Sequence, residues 1–190
     1  MRKIKYGFFG EDMAHRIFLE NYLRNIQDEF DVEFKIDEDF CKRFRATNDT
    51  TVDEKFRLIA EKGLNHYGHE VFFVGRDADT TLEARYPINE PTYKDIPKGV
   101  IVMMPVQSIE HWLLYIKQGK ESGYSTKNIS FEEKSNKSVK LEVYGLEVVT
   151  NSKSTPIVNQ LTMDFDVNWL SQKSKSFNNF HTHLKLVLAQ

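Results

Sequence analysis

Apolar and polar positions alternate in blocks along the chain. Residues 3–10, KIKYGFFG, form a short aromatic run that stops at a glycine, the mark of a strand. The following EDMAHRIFLENYLRNIQDEF places Met13, Ile17, Leu19, Leu23, Ile26 and Phe30 at roughly helical spacing. DVEFKI (31–36) alternates and reads as a second strand. TVDEKFRLIAEKGLNHYG (51–68) carries Phe56, Ile59 and Leu64 on one stripe, with Gly68 as the stop. EVFFVG is an unbroken apolar strand that hands over to Arg76-Asp77-Ala78-Asp79. GVIVMMP (99–105) is another such strand, and VQSIEHWLLYIKQG (106–119) a helix with Ile109, Trp112, Leu113 and Ile116 inward. Strands alternating with helices predict an α/β fold, and continuous apolar strands predict a mainly parallel sheet covered on both faces.

The pattern weakens beyond residue 119. Residues 120–156 are rich in Ser, Asn and Lys and poor in apolar side chains, and read as a mobile, partly helical insertion or flap. The later part of 165–190 is again periodic, with Phe177, Phe180, Leu184 and Leu188 on one stripe. The expected organisation is therefore a core over 1–119, a polar insertion over 120–164, and a helical C-terminal segment over 165–190 that packs back on the core.

Composition adds little to this picture. The chain has 190 residues, 40% hydrophobic and 28% charged, with a net charge of −2. This is ordinary for a globular protein and gives no global pull toward nucleic acid. The single cysteine, Cys41, excludes an internal disulfide and a cysteine-based zinc cluster. It fits a reducing cytoplasm. No apolar run is long enough to span a bilayer, so no membrane association is expected. Residues 1–100 hold 20 acids against 16 Lys and Arg, whereas 101–190 hold 8 against 10, all of the latter lysine.

Placed on the predicted sheet, the acids converge. Ligands of open parallel sheets bind beyond the carboxyl ends of the strands. Glu11 follows the first strand, Asp77 and Asp79 a later one, and Glu110 the strand ending at Met104. Carboxylates crowded together raise one another's pKa unless a cation joins them, and oxygen ligands favour Mg²⁺ or Mn²⁺. Plain structural alternatives stand beside this. Glu11 suits the first turn of a helix, Asp77 and Asp79 a turn or cap, and Glu110 a helix surface. Lys127, Lys134, Lys137 and Lys140 read either as a solvated flap or as contacts to substrate phosphates. The six histidines, at 15, 66, 69, 111, 181 and 183, show no zinc spacing and are expected at the surface.

A Glu after the first strand and an Asp-x-Asp after a later one, in an alternating α/β domain, resemble the Toprim fold of topoisomerases, bacterial primases and OLD-type nucleases. The resemblance is closer to small stand-alone Toprim-like bacterial proteins, including the RloB group. It rests on FFGEDMAHRIFLENYL, MPVQSIEHWLLY and KSFNNFHTHL. It implies a Toprim-like Rossmannoid fold, with Glu11 catalytic and Asp77, Asp79 and Glu110 as Mg²⁺ or Mn²⁺ ligands. Thr81 would extend the aspartate motif. Asp12 stands where such proteins usually have glycine, and His15 where a second acid is common, so that His15 becomes a substitute ligand. The function implied is a metal-dependent nuclease of DNA or RNA, a phage-defence effector working with an AAA-type ATPase, with a homo-oligomer as one open assembly state. The alternative is a catalytically weak module that docks on such an ATPase.

Overall fold

The computed structural model describes residues 1–81, 93–125, 127–128 and 130–189. Its elements run β1 (Arg2–Gly10), α1 (Met13–Ile26), β2 (Val32–Ile36), α2 (Glu38–Arg43), α3 (Asp49–His66), β3 (Val71–Gly75), β4 (Val100–Met103) and α4 (Ile109–Ser122). Four helices complete the chain: α5 (Asn136–Tyr144), α6 (Asn151–Thr162), α7 (Val167–Lys173) and α8 (Lys175–Leu188). The four strands form one all-parallel sheet in the order β2-β1-β3-β4, with helices on both faces, a Rossmann-like arrangement. Every residue of β3 and β4 is buried, as their uninterrupted apolar runs require.

Alternation along β3 sends neighbouring side chains to opposite faces. Phe72 points to the face covered by α2 and α3, where it meets Phe40 at 5.8 Å between ring centroids. Phe73 points to the other face and meets Phe180 of α8 at 6.5 Å. On that second face α1, α4 and α8 join through an aromatic cluster. Phe18 lies 5.2 Å from Trp112 and 6.0 Å from Phe177, and Tyr22 lies 5.1 Å from Phe180. The Tyr22 hydroxyl and His181 Nδ1 share a buried hydrogen bond of 2.6 Å.

The polar segment after α4 is more ordered in its packing than its composition implies. Its few apolar residues are spaced for helices. Val139, Val143 and Tyr144 are buried on α5, and Ser154, Val158 and Thr162 on α6. A narrow stripe of this kind needs only one apolar residue per turn. Helix α6 lies along α1, where Asn21 Nδ2 donates to Asn159 Oδ1 (3.0 Å) and Thr162 Oγ1 (2.8 Å). The surface expectation for the histidines is corrected: His15, His69, His111 and His181 are buried, each beside a side-chain partner that offsets the loss of water. No helix among the described residues is long and apolar enough to cross a membrane.

Candidate metal centre

Strand β1 leads through α1 to β2 on one side, while β3 lies on the other side of β1 and continues toward β4. The direction in which strands are added therefore reverses between β1 and β3, the place where such sheets open a crevice at the carboxyl ends of their strands. Gly10 and Gly75 are paired across that crevice. Glu11 leaves β1 with its N–H donating to the Gly75 carbonyl (3.2 Å). Asp77, just past β3, donates its own N–H to Glu11 Oε1 (2.6 Å). The two acids are thus held by backbone that belongs to the sheet.

Helix α1 begins at this point. Asp12 is its N-cap, and Asp12 Oδ1 accepts from the His15 N–H (2.9 Å), the usual device for satisfying a first-turn donor. The same oxygen lies 2.8 Å from His15 Nδ1. A proton on Nδ1 satisfies that contact and aims Nε2 into the crevice. A carboxylate orienting an imidazole in this way is the common outer partner of histidine ligands. The His15 side chain is fully buried, and Nε2 lies 3.0 Å from Asp77 Oδ1 and 3.8 Å from Glu11 Oε1. Even so, Nε2 has no hydrogen-bond partner of acceptable geometry. Gly75 makes this approach feasible, because a Cβ there would lie 3.1 Å from His15 Cβ and 3.0 Å from Phe8 Cζ.

Donor atoms of Glu11, His15 and Asp77 all lie within 4.8 Å of one another. Their protonation reflects the crowding. Burial pushes the Asp77 carboxyl up to about 8, against the pull of His15 and with the added repulsion of Glu11 and Glu110. Burial also raises Glu11, while His15 and the Asp77 N–H pull it back. Burial opposes charge on His15, but the Asp12 and Asp77 carboxylates outweigh it and hold the imidazolium well above its usual range. One buried imidazole nitrogen and two part-buried carboxylates form a donor set that can hold a divalent cation.

The other expected ligands are placed differently. Asp79 was expected to join Asp77 as a metal ligand. Its backbone is left-handed, with a φ of 55°. Asp79 Oδ2 instead accepts from Arg76 Nη1 (2.6 Å), on the side facing α3. Arg76 is buried and also donates from Nε to Asp53 Oδ1 (3.2 Å), with Asp49 Oδ2 3.7 Å from Nη2. Glu110 is buried in the first turn of α4, whose Ile109 N–H donates to Asp77 Oδ1 (2.8 Å). It is near enough to repel Asp77, yet stands outside the three-donor group, with Lys140 Nζ 3.9 Å from its Oε1. Lys134 pairs with Glu142 (2.6 Å) and Lys137 with Glu147 (3.2 Å), while Lys127 and Thr81 are exposed.

Sequence reasoning passed over Asp12 as a positioning residue and Arg76 altogether. The signal for Arg76 was a cation placed directly at a strand tip between apolar and acidic runs. Its partners Asp49 and Asp53 lie on α3 and are visible only in three dimensions. Beside the centre, Glu11, Asp12, Arg16, Phe44, Arg45 and Asn151 line a cleft of about 200 Å³. Arg45 is exposed there and has no ion pair among the described residues. No family model, curated protein or solved structure matches the chain.

Proposed function

We propose that the protein is a metal-dependent nuclease, hydrolysing phosphodiester bonds of DNA or RNA, with Glu11, His15 and Asp77 holding Mg²⁺ or Mn²⁺. The observation that carries this reading is the fully buried His15 Nε2 atom, 3.0 Å from Asp77 Oδ1 and 3.8 Å from Glu11 Oε1 without an aligned hydrogen bond, at the switch point of a parallel sheet. An ion bound there would polarise a phosphate oxygen and activate a water. Asp12 would keep Nε2 aimed at the ion, and Glu11 would orient the attacking water or take its proton. Arg45, in the adjoining cleft, would hold a neighbouring phosphate without reading sequence.

The resemblance to stand-alone Toprim-like proteins extends the reading to a cytoplasmic phage-defence effector that acts with an AAA-type ATPase. The engagement of Asp79 by Arg76 favours a second reading, a catalytically weak Toprim-like module docking on that ATPase. Cleavage of plasmid DNA and transfer RNA, with Mg²⁺ or Mn²⁺ and with and without a candidate ATPase, separates the two. The nuclease reading expects metal-dependent cleavage that Asp77→Asn abolishes. Metal binding with no cleavage of either substrate would leave the docking module in its place.

A further inference from the structure

The acids beside the centre already share a cation of the chain's own. Arg76 projects to the α3 side of the strand tip, opposite to Asp77, because consecutive extended residues alternate. Its guanidinium uses all three nitrogens. Nε meets Asp53, Nη1 meets Asp79 and the Asp77 carbonyl, and Nη2 meets Asp53 and Asp49. A guanidinium is charged at every working pH and its donors form a rigid fork, so it cannot leave these partners by losing a proton.

The loop around it is fixed as well. Arg76 N–H donates to the Met103 carbonyl (3.0 Å), Ala78 N–H to Pro105 (3.0 Å) and Asp79 N–H to Gln107 (2.9 Å). Asp79 in its left-handed conformation is therefore held toward Arg76 and away from Asp77. Among the described residues, Glu11, His15 and Asp77 are the only three acids or histidines whose donor atoms cluster for a metal.

We infer that Arg76 serves as a permanent second cation of this site, so that the centre takes one divalent ion and its second aspartate, Asp79, is a partner of Arg76. The inference rests on reading Glu11, His15 and Asp77 as a metal centre, for which the sign is the fully buried His15 Nε2, 3.0 Å from Asp77 Oδ1 without an aligned hydrogen bond. Two metal ions beside each other repel, and a guanidinium occupying the second place repels an incoming ion in the same way. Arg76 is a positioning residue here: its donors are all engaged with protein oxygens.

The test is a count of Mn²⁺ on the full chain by calorimetry and electron paramagnetic resonance. The expected result is one Mn²⁺ per chain, with no spin coupling between ions at saturation. Asp79→Asn should leave the affinity for that ion within about twofold, as for a change outside the ligand set. Arg76→Met, which keeps an apolar stem, should admit a second Mn²⁺ near Asp53 and Asp79, and Arg76→Lys should not. Two coupled ions in the unmodified chain would overturn the inference and leave the metal-centre reading standing, as would a loss of roughly tenfold or more in Asp79→Asn, the scale seen for metal-site partners. No bound Mn²⁺ at millimolar concentration would overturn both. Because the unmodified chain and Asp79→Asn each decide the matter, failure of Arg76→Met to fold would not.

Discussion

Two groups of carboxylates sit side by side at the end of β3, and they differ in what neutralises them. Asp53 and Asp79 close around Arg76, which gives each of them a hydrogen bond and shares one positive charge between them. Glu11 and Asp77 close around His15, whose Nε2 comes near both without an aligned bond. Both groups are acidic, and both lie at the edge where parallel sheets bind ligands. The count of acids does not tell them apart. The deciding feature is whether the buried polar atom at the middle is satisfied, because an unsatisfied one carries the full cost of its lost hydration.

The sharpest way to break this comparison is Asp77→Asn. The amide oxygen can still accept the Ile109 N–H, so the start of α4 should hold and the fold should survive. Affinity for Mn²⁺ should fall by more than about 100-fold, beyond the range expected of outer-shell partners. Calorimetric titration reads this directly, and unchanged affinity would remove Asp77 from the centre.

A smaller effect is expected at Asp12, which touches His15 and no other donor of the group. Asp12→Ala frees the imidazole to rotate and should weaken Mn²⁺ by roughly 10- to 100-fold. It should also cost about 1 kcal/mol of stability through the lost N-cap. Asp12→Asn retains an acceptor for the His15 N–H and should restore most of the stability. If both variants lose stability equally, Asp12 acts through its charge and not as a cap, and urea unfolding of the pair distinguishes these cases.

The smallest effect concerns a second buried histidine, on the opposite face of the sheet. Burial lowers the pKa of His69, with Asp37 only partly compensating, in contrast to the raised His15. A histidine whose folded pKa is depressed binds more protons when unfolded, so its contribution to stability rises with pH. The contribution is fully present above the unfolded value of about 6.5 and is lost as pH falls below it. His69→Phe keeps a ring against Phe40 and Phe72 and removes the titration. Its unfolding free energy should therefore change less between pH 7.5 and 5.5 than that of the parent, and an equal slope would contradict this assignment.

Much of the sheet could be read from the chain because β3 and β4 are unbroken apolar runs, and because β1 and β2 are separated by a periodic helix. Glu11 and Asp77 were legible for the same reason: each follows a strand end, and strand ends of a parallel sheet lie together. The contact of Asp79 with Arg76 was not legible, because residue spacing does not reveal the positive φ at Asp79. Helix α2 is short, and its sign is a local one, Asp37 accepting from the Phe40 N–H (3.0 Å), which periodicity does not detect. Helices α5 and α6 were obscured by composition. Polar residues dominate those stretches, and the stripes that bury Val139, Val143 and Val158 are one residue wide.

The aromatic cluster also has a bearing on how the chain is made. Tyr22 and His181 are separated by 159 positions, and Phe177 and Phe180 cover Phe18, Tyr22 and Trp112. During synthesis the four strands emerge well before α8. A nascent chain halted after α4 would carry a sheet with one aromatic face open to water, the kind of surface that drives misassembly. Helix α8 thus closes the core only after every strand has emerged, and productive folding of the sheet waits for it.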